Sequence, residues 1–186
     1  HQAQQRTEAA NQFANLLNAF SDQADETSGE TVAFVAQTLR EDYTDSAYAV
    51  YGNLILARQQ LMQEGNAEAA IDSLKWALEK TGEHEALALV VRNRLARAQF
   101  SSGQYEDALA TIDGAGNADA FDAMYSELRG DILLAQRDNF PLAGIGFGDA
   151  PTAGAHEFAI EHALDAFLAA MVDAADETEH VRGVMF

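Results

Sequence analysis

The stretch His156-Glu157-Phe158-Ala159-Ile160-Glu161-His162 holds the residue types of a zinc-dependent hydrolase, two imidazoles to ligate a metal and a carboxylate to take a proton from its water. In the working motif the two histidines stand at i and i+4 on one helix face, whereas here the second falls at i+6 and its ring points elsewhere. His162 shares a helix face with Asp165, a weak metal site at most, and a solvated or capping role is expected for the histidines. Gly144-Ile145-Gly146-Phe147-Gly148-Asp149 has the spacing that begins a dinucleotide-binding turn, but the final glycine is missing and no βαβ pattern surrounds it. Asp173, Asp176, Glu177 and Glu179 depart from the order of a calcium loop and are read as solvating a helix end. No serine sits in an elbow motif with a histidine and an acid at a recognisable spacing. We therefore expect no catalytic, cofactor-binding or metal-ligating residues, no cofactor, and no enzymatic activity.

The charges that stand out are cations. Thirty acidic residues against 11 basic ones give a formal charge of −19, a balance that repels phosphate backbones and anionic lipid and excludes nucleic acid as a partner. In such a chain Arg94 and Arg97 have two readings, ion pairing with acids on adjacent helices or capture of a ligand. Asn93, Arg94 and Arg97 approach the basic and amide clamp by which some repeat proteins hold a carboxylate, but all three lie in one repeat. The chain has no cysteine, which removes disulfides, thiol catalysis and cysteine-based zinc sites while leaving the compartment open.

The elements that position these residues read as helices. The two prolines of the chain both lie between 141 and 154, and alanine and leucine dominate the apolar set. Phe13, Leu16, Leu17 and Phe20 mark a first helix, Asp22 to Gly29 a loop, and Val32, Val35 and Leu39 a second helix. Asp45 or Ser46 is placed to cap a helix from about 47 to 63, and Asn66 to cap the one that carries Ala70, Leu74, Ala77 and Leu78. Arg94 to Ala115 then places Ala96 and Ala108 twelve apart with Gly103 between them, small residues where two helix backbones must touch across a short turn.

The chain aligned on itself puts Ala57, Ala96 and Gly130 at equivalent places in first helices, and Ala70 and Ala108 in second helices. Ala96 to Gly130 spans 34 residues, the tetratricopeptide (TPR) period, and Ala70 to Ala108 spans 38, so the connection near Thr81-Gly82-Glu83 is longer than standard. Ser126 to Leu134 gives a good first helix for a third repeat, but Leu142 stands where its partner needs a small residue. The stretch 141–154 reads as a loop, and Ala159, Ile160, Ala163, Leu164, Phe167, Leu168, Met171 and Val172 mark an amphipathic helix expected to replace that partner.

The expected fold is all-α, an α-α superhelix of TPR-like helical hairpins, in a single domain spanning 1–186. N-terminal helices occupy 1–45, imperfect repeats 46–138, a Pro/Gly loop 139–154, and a C-terminal helix and tail 155–186. Stacked first helices form a concave face suited to a partner's helix or extended segment. The repeat register places Tyr51, Leu54, Arg58, Leu61 and Met62, then Asn93, Arg97 and Phe100, then Glu127, Asp131 and Leu134 on it. Of these, Tyr51, Arg58, Asn93, Arg97, Phe100, Glu127 and Asp131 are the expected partner-binding residues.

Asn93-Arg94-Leu95-Ala96-Arg97, Ala108-Leu109-Ala110-Thr111-Ile112-Asp113 and Glu127-Leu128-Arg129-Gly130-Asp131-Ile132-Leu133-Leu134, with His1-Gln2 and Tyr48 to Ala57, resemble the YfgM-type proteins of Gram-negative bacteria. The resemblance covers roughly residues 1 to 138 and lapses after Asp138. The resemblance implies the periplasmic domain of a single-pass inner-membrane protein whose anchor precedes His1. It also implies an ancillary subunit of the SecYEG translocon that works beside a PpiD-like membrane-anchored chaperone and hands secreted polypeptides to periplasmic chaperones. A structural scaffold in the cell envelope, or a homo-oligomerisation module pairing through its C-terminal helix, is the alternative.

Overall fold

The computed structural model describes residues 2–139, apart from 22–26, 83, 117, 119 and 120. Asn139, expected to open the loop at 139–154, instead closes the last described helix, and the rest of that loop, the helix expected beyond it, His156 and His162 lie outside the described residues. Seven helices run through the described chain: α1 (Gln2–Ser21), α2 (Ser28–Asp42), α3 (Ala47–Met62), α4 (Ala67–Lys80), α5 (Glu85–Ser101), α6 (Tyr105–Asp113) and α7 (Asp122–Asn139).

Local chemistry sets several of their ends. The Tyr48 backbone N–H donates to Ser46 Oγ at 3.3 Å to open α3, and the Ala69 N–H donates to Asn66 Oδ1 at 3.1 Å to open α4, each satisfying a donor that the first turn leaves without a partner. After α5, Gly103 takes a left-handed φ of 78°, which lets the Gln104 N–H return to the Gln99 carbonyl at 2.8 Å and reverses the chain into α6. The second helix starts at Ser28, so the loop expected to run to Gly29 is shorter; Thr31 Oγ1 donates to the Thr27 carbonyl at 3.1 Å and ties the first turn down.

Helices pack in sequence, α1 on α2, α3 on α4 and α5 on α6, with each second helix also packing on the next first helix. First helices also meet directly, α1 against α3 and α5 against α7. This is the packing order of a tetratricopeptide stack, and it begins one hairpin earlier than the sequence register shows, with α1 and α2 as the leading hairpin. Gly52 explains how that hairpin docks. A Cβ there would stand 2.9 Å from Leu39 Cδ1 and 3.4 Å from Leu16 Cδ1, so α3 approaches α1 and α2 as closely as a bare backbone permits.

Two apolar clusters follow from the repeat. Val50, Leu54 and Ala57 of α3 meet Ala70, Ile71, Leu74 and Ala77 of α4 and Leu87, Val91 and Leu95 of α5. Ala96 of α5 meets Ala108 and Ile112 of α6 and Tyr125, Leu128 and Ile132 of α7. The small residues Ala96 and Ala108 are both fully buried, as close contact between neighbouring helix backbones requires.

Candidate functional site

The register that aligns the hairpins rests on a polar contact as well as on small residues. Ser73 Oγ donates to Gln60 Oε1 at 2.9 Å, and Thr111 Oγ1 donates to Gln99 Oε1 at 2.7 Å. In each case the glutamine lies three residues past the small residue of the first helix (Ala57, Ala96) and the hydroxyl three past that of the second (Ala70, Ala108). The same clasp thus closes both hairpins and fixes their equivalence residue by residue. In α7 the corresponding position is Leu133, which is exposed.

With that register, the face of the first helices can be read across α3, α5 and α7. One residue past the small position stand Arg58, Arg97 and Asp131; three before it stand Leu54, Asn93 and Glu127; four past it stand Leu61, Phe100 and Leu134. Arg58 is half-buried with its guanidinium 5.4 Å from the Phe20 ring of α1, a cation–π contact that holds it against the leading hairpin. Arg97 is half-buried and its Nε donates to Asn93 Oδ1 at 3.2 Å. Asn93 is only 3% exposed, and its Nδ2 is the one buried side-chain donor without a hydrogen-bond partner among the described residues. Glu127 and Asp131 are exposed, one turn apart on α7.

The apolar members divide. Leu54 is 2% exposed and belongs to the core between α3, α4 and α5, so it offers nothing to a partner. Tyr51 is half-buried against Phe13 and Tyr48, ring centroids 6.0 and 6.4 Å away, and burial followed by the neighbouring Tyr48 raises its hydroxyl pKa above the usual tyrosine value. Phe100 packs its ring 5.9 Å from that of Tyr105 and is half-buried. Met62 and Leu134 are 52% and 40% exposed. Tyr51, Arg58, Arg97, Phe100, Glu127 and Asp131 therefore retain surface, while Asn93 is buried beneath Arg97.

Sequence reasoning missed Gln60, Gln99 and Arg92. The two glutamines repeat at the period already used for the alanines, so the signal was present in the same alignment. Arg92 Nη1 donates to the Thr111 carbonyl at 3.4 Å in the last turn of α6, where a cation complements the helix dipole. Nearby, Tyr125 donates its hydroxyl to the Leu89 carbonyl at 2.7 Å, and burial pushes its pKa to about 12 against the opposing effect of Arg92.

Among the described residues no group of three or more histidine or acidic side chains is arranged to hold a metal ion. No helix among them is long and apolar enough to cross a membrane. Compared with known proteins, the chain is 30% identical over 138 residues to the ancillary SecYEG translocon subunit of Haemophilus influenzae, covering 74% of this chain and 64% of that protein. The chain thus spans a little under two thirds of that relative's length. No solved structure matches. The match to the tetratricopeptide repeat-like domain runs from residue 1 to 172. With the hairpin stack and the repeated clasp, this places the chain in the tetratricopeptide repeat-like domain family.

Proposed function

We propose that this chain is a non-enzymatic adaptor that binds other proteins through the face of its first helices. The observation that carries this reading is the alignment of Arg58, Arg97 and Asp131, and of Leu61, Phe100 and Leu134, as parallel rows on that face. Such rows give a repeat stack polar and apolar contacts for a polypeptide laid across it. The relative described as an ancillary SecYEG translocon subunit supports a place beside the Sec translocon. The resemblance noted in the sequence adds a periplasmic position on a single-pass inner-membrane protein and a PpiD-like chaperone as a second partner. The strongly acidic chain fits a role on protein surfaces rather than on nucleic acid or anionic lipid.

Affinity purification of the full-length protein from solubilised membranes tests this reading. Translocon and chaperone components are expected in the eluate, and their recovery should fall when Arg97, Glu127 and Asp131 are replaced together by alanine. An eluate free of translocon components refutes the placement at the Sec machinery.

A further inference from the structure

Asp113-Gly114 is the one Asp-Gly step in the chain, and no Asn-Gly step occurs. Packing at the end of α6 accounts for both residues. A Cβ at position 114 would stand 2.5 Å from Arg92 Nη1 and 3.3 Å from its Cζ, so any residue other than glycine displaces that guanidinium from its place over the last turn, where Nη1 donates to the Thr111 carbonyl at 3.4 Å. The Asp113 carboxylate accepts from Arg129 Nη2, an ion pair that ties α6 to α7. The dipeptide these contacts select is also the one in which an aspartate closes most readily on the backbone, because a residue without a Cβ leaves its nitrogen open to approach. The Asp113 side chain is 63% exposed, so water reaches it.

We propose that Asp113 is a site of spontaneous modification, converting to isoaspartate through a cyclic imide at a rate set by opening of the last turn of α6. The Gly114 nitrogen attacks Asp113 Cγ; the N–Cγ bond forms, and the carboxyl hydroxyl leaves with the amide proton as water. Water then adds at the Asp113 main-chain carbonyl carbon and breaks its bond to the nitrogen, which takes up a proton. The chain now runs through Cβ and Cγ, a methylene longer, and the former carbonyl carbon is a carboxylate. Water is the sole co-reactant, and neither mass nor net charge changes. The folded chain resists the first step. Asp113 is the last residue of α6, and the Gly114 N–H donates to the Ala110 carbonyl at 3.1 Å. The imide ring is nearly flat, which at a tetrahedral Cα needs ψ near −120°, roughly 80° from the helical value of about −42°. Ring closure therefore waits for the turn to open, a local event at the end of a nine-residue helix, and Arg129 adds to the cost by holding the carboxylate. Isoaspartate cannot rebuild that turn, because the extra methylene shifts the bonds that Ala115 and Gly116 N–H make to the carbonyls of Ile112 and Asp113. The junction between α6 and α7 loosens as the protein ages.

Ageing the purified chain at neutral pH in water enriched in oxygen-18, then digesting it with trypsin in ordinary water, tests this. The peptide from Ala98 to Arg129 carries the site, and electron-transfer fragmentation tells isoaspartate from aspartate at each position. Heavy oxygen and isoaspartate are expected at residue 113 and not at Asp107 or Asp122 of the same peptide. Conversion should run about tenfold more slowly than in a blocked peptide of residues 112–115, the protection of a helix end that opens locally, and urea should bring the chain to the peptide's rate. Arg129→Gln removes an exposed ion pair and should speed conversion about twofold to fivefold, while Arg129→Lys, which keeps the cation, stays near the parent rate. A general loosening of the fold by Arg129→Gln is told apart by its urea midpoint and by conversion at other aspartates. Absence of isoaspartate at residue 113 after about ten half-lives of the peptide overturns the proposal, as does conversion of the folded chain at the peptide's own rate. So does an Arg129→Gln chain that converts no faster than the parent.

Discussion

Two helical glycines should respond in opposite ways to the same substitution. Glycine inside a helix costs about 0.5–1 kcal/mol relative to alanine because its backbone loses more freedom on folding. At Gly130, in α7, a Cβ meets nothing within 4 Å among the described residues, so Gly130→Ala should realise that gain in full. At Gly52 the added methyl would lie 2.9 Å from Leu39 Cδ1, 3.4 Å from Leu16 Cδ1 and 3.9 Å from the Ala36 Cα. Leu39, Leu16 and Ala36 are all fully buried, which leaves the leucine ends little room to turn away. Overpacking of this kind costs about 1–3 kcal/mol, so Gly52→Ala should lose up to about 2 kcal/mol after the helix gain is subtracted. Urea unfolding followed by circular dichroism measures both, with the midpoint rising for Gly130→Ala and falling for Gly52→Ala at unchanged slope. In thermal unfolding Gly130→Ala should add about 1–4 °C for a chain of this size. If the two variants gain equally, the leading hairpin does not rest on Gly52 and the docking of α1 and α2 onto α3 is wrong.

The clasp between α5 and α6 predicts non-additivity: Thr111→Val and Gln99→Leu should each cost about 1–3 kcal/mol by stranding the other partner, and the double variant less than their sum, read from a double-mutant cycle in urea. With a formal charge of −19, the folded chain repels itself, so raising sodium chloride should raise the melting temperature as the Debye length shrinks; a fall would refute a fold limited by its own charge. Tyr125 holds its proton to about 12 in the folded state against an ordinary value of 10.0, so the folded form is the more protonated of the two between these limits. Its contribution is intact below pH 10 and is lost as pH rises towards 12; urea midpoints at successive pH values should fall over that window, and less steeply in Tyr125→Phe.

The hairpins were legible in the sequence because their determinants are local. Small residues at a fixed offset, Ser46 and Asn66 as caps, and Gly103 in the turn each act within a few residues of themselves. The leading hairpin was legible only as two helices, because its membership in the stack depends on Leu16 and Leu39 closing over Gly52, a contact between apolar side chains far apart in the chain and without any turn motif. Burial was the other gap. Leu54 and Asn93 share a register position, yet Leu54 is core and Asn93 underlies Arg97, since a periodic pattern gives the direction of a side chain but not what the neighbouring hairpin places over it. Arg92, adjacent in sequence to Asn93, serves the end of α6, a role that only the return of the chain reveals.

The clasp has one more consequence. The half-buried side-chain pairs Gln60–Ser73 and Gln99–Thr111 each close within a single hairpin, whereas Gln59 and Tyr125, which reach into neighbouring hairpins, end on the backbone carbonyls of Gly29 and Leu89. Any residue supplies a backbone carbonyl. A hairpin of this protein can therefore be duplicated, deleted or exchanged for another without stranding these polar contacts, provided the apolar surfaces on its two sides still fit. Recombination between repeats is open to such a chain, and its gene can lengthen or shorten the array in whole hairpins where the new neighbours again meet the side chains that cross a junction, Arg58 on the Phe20 ring and Arg129 with Asp113.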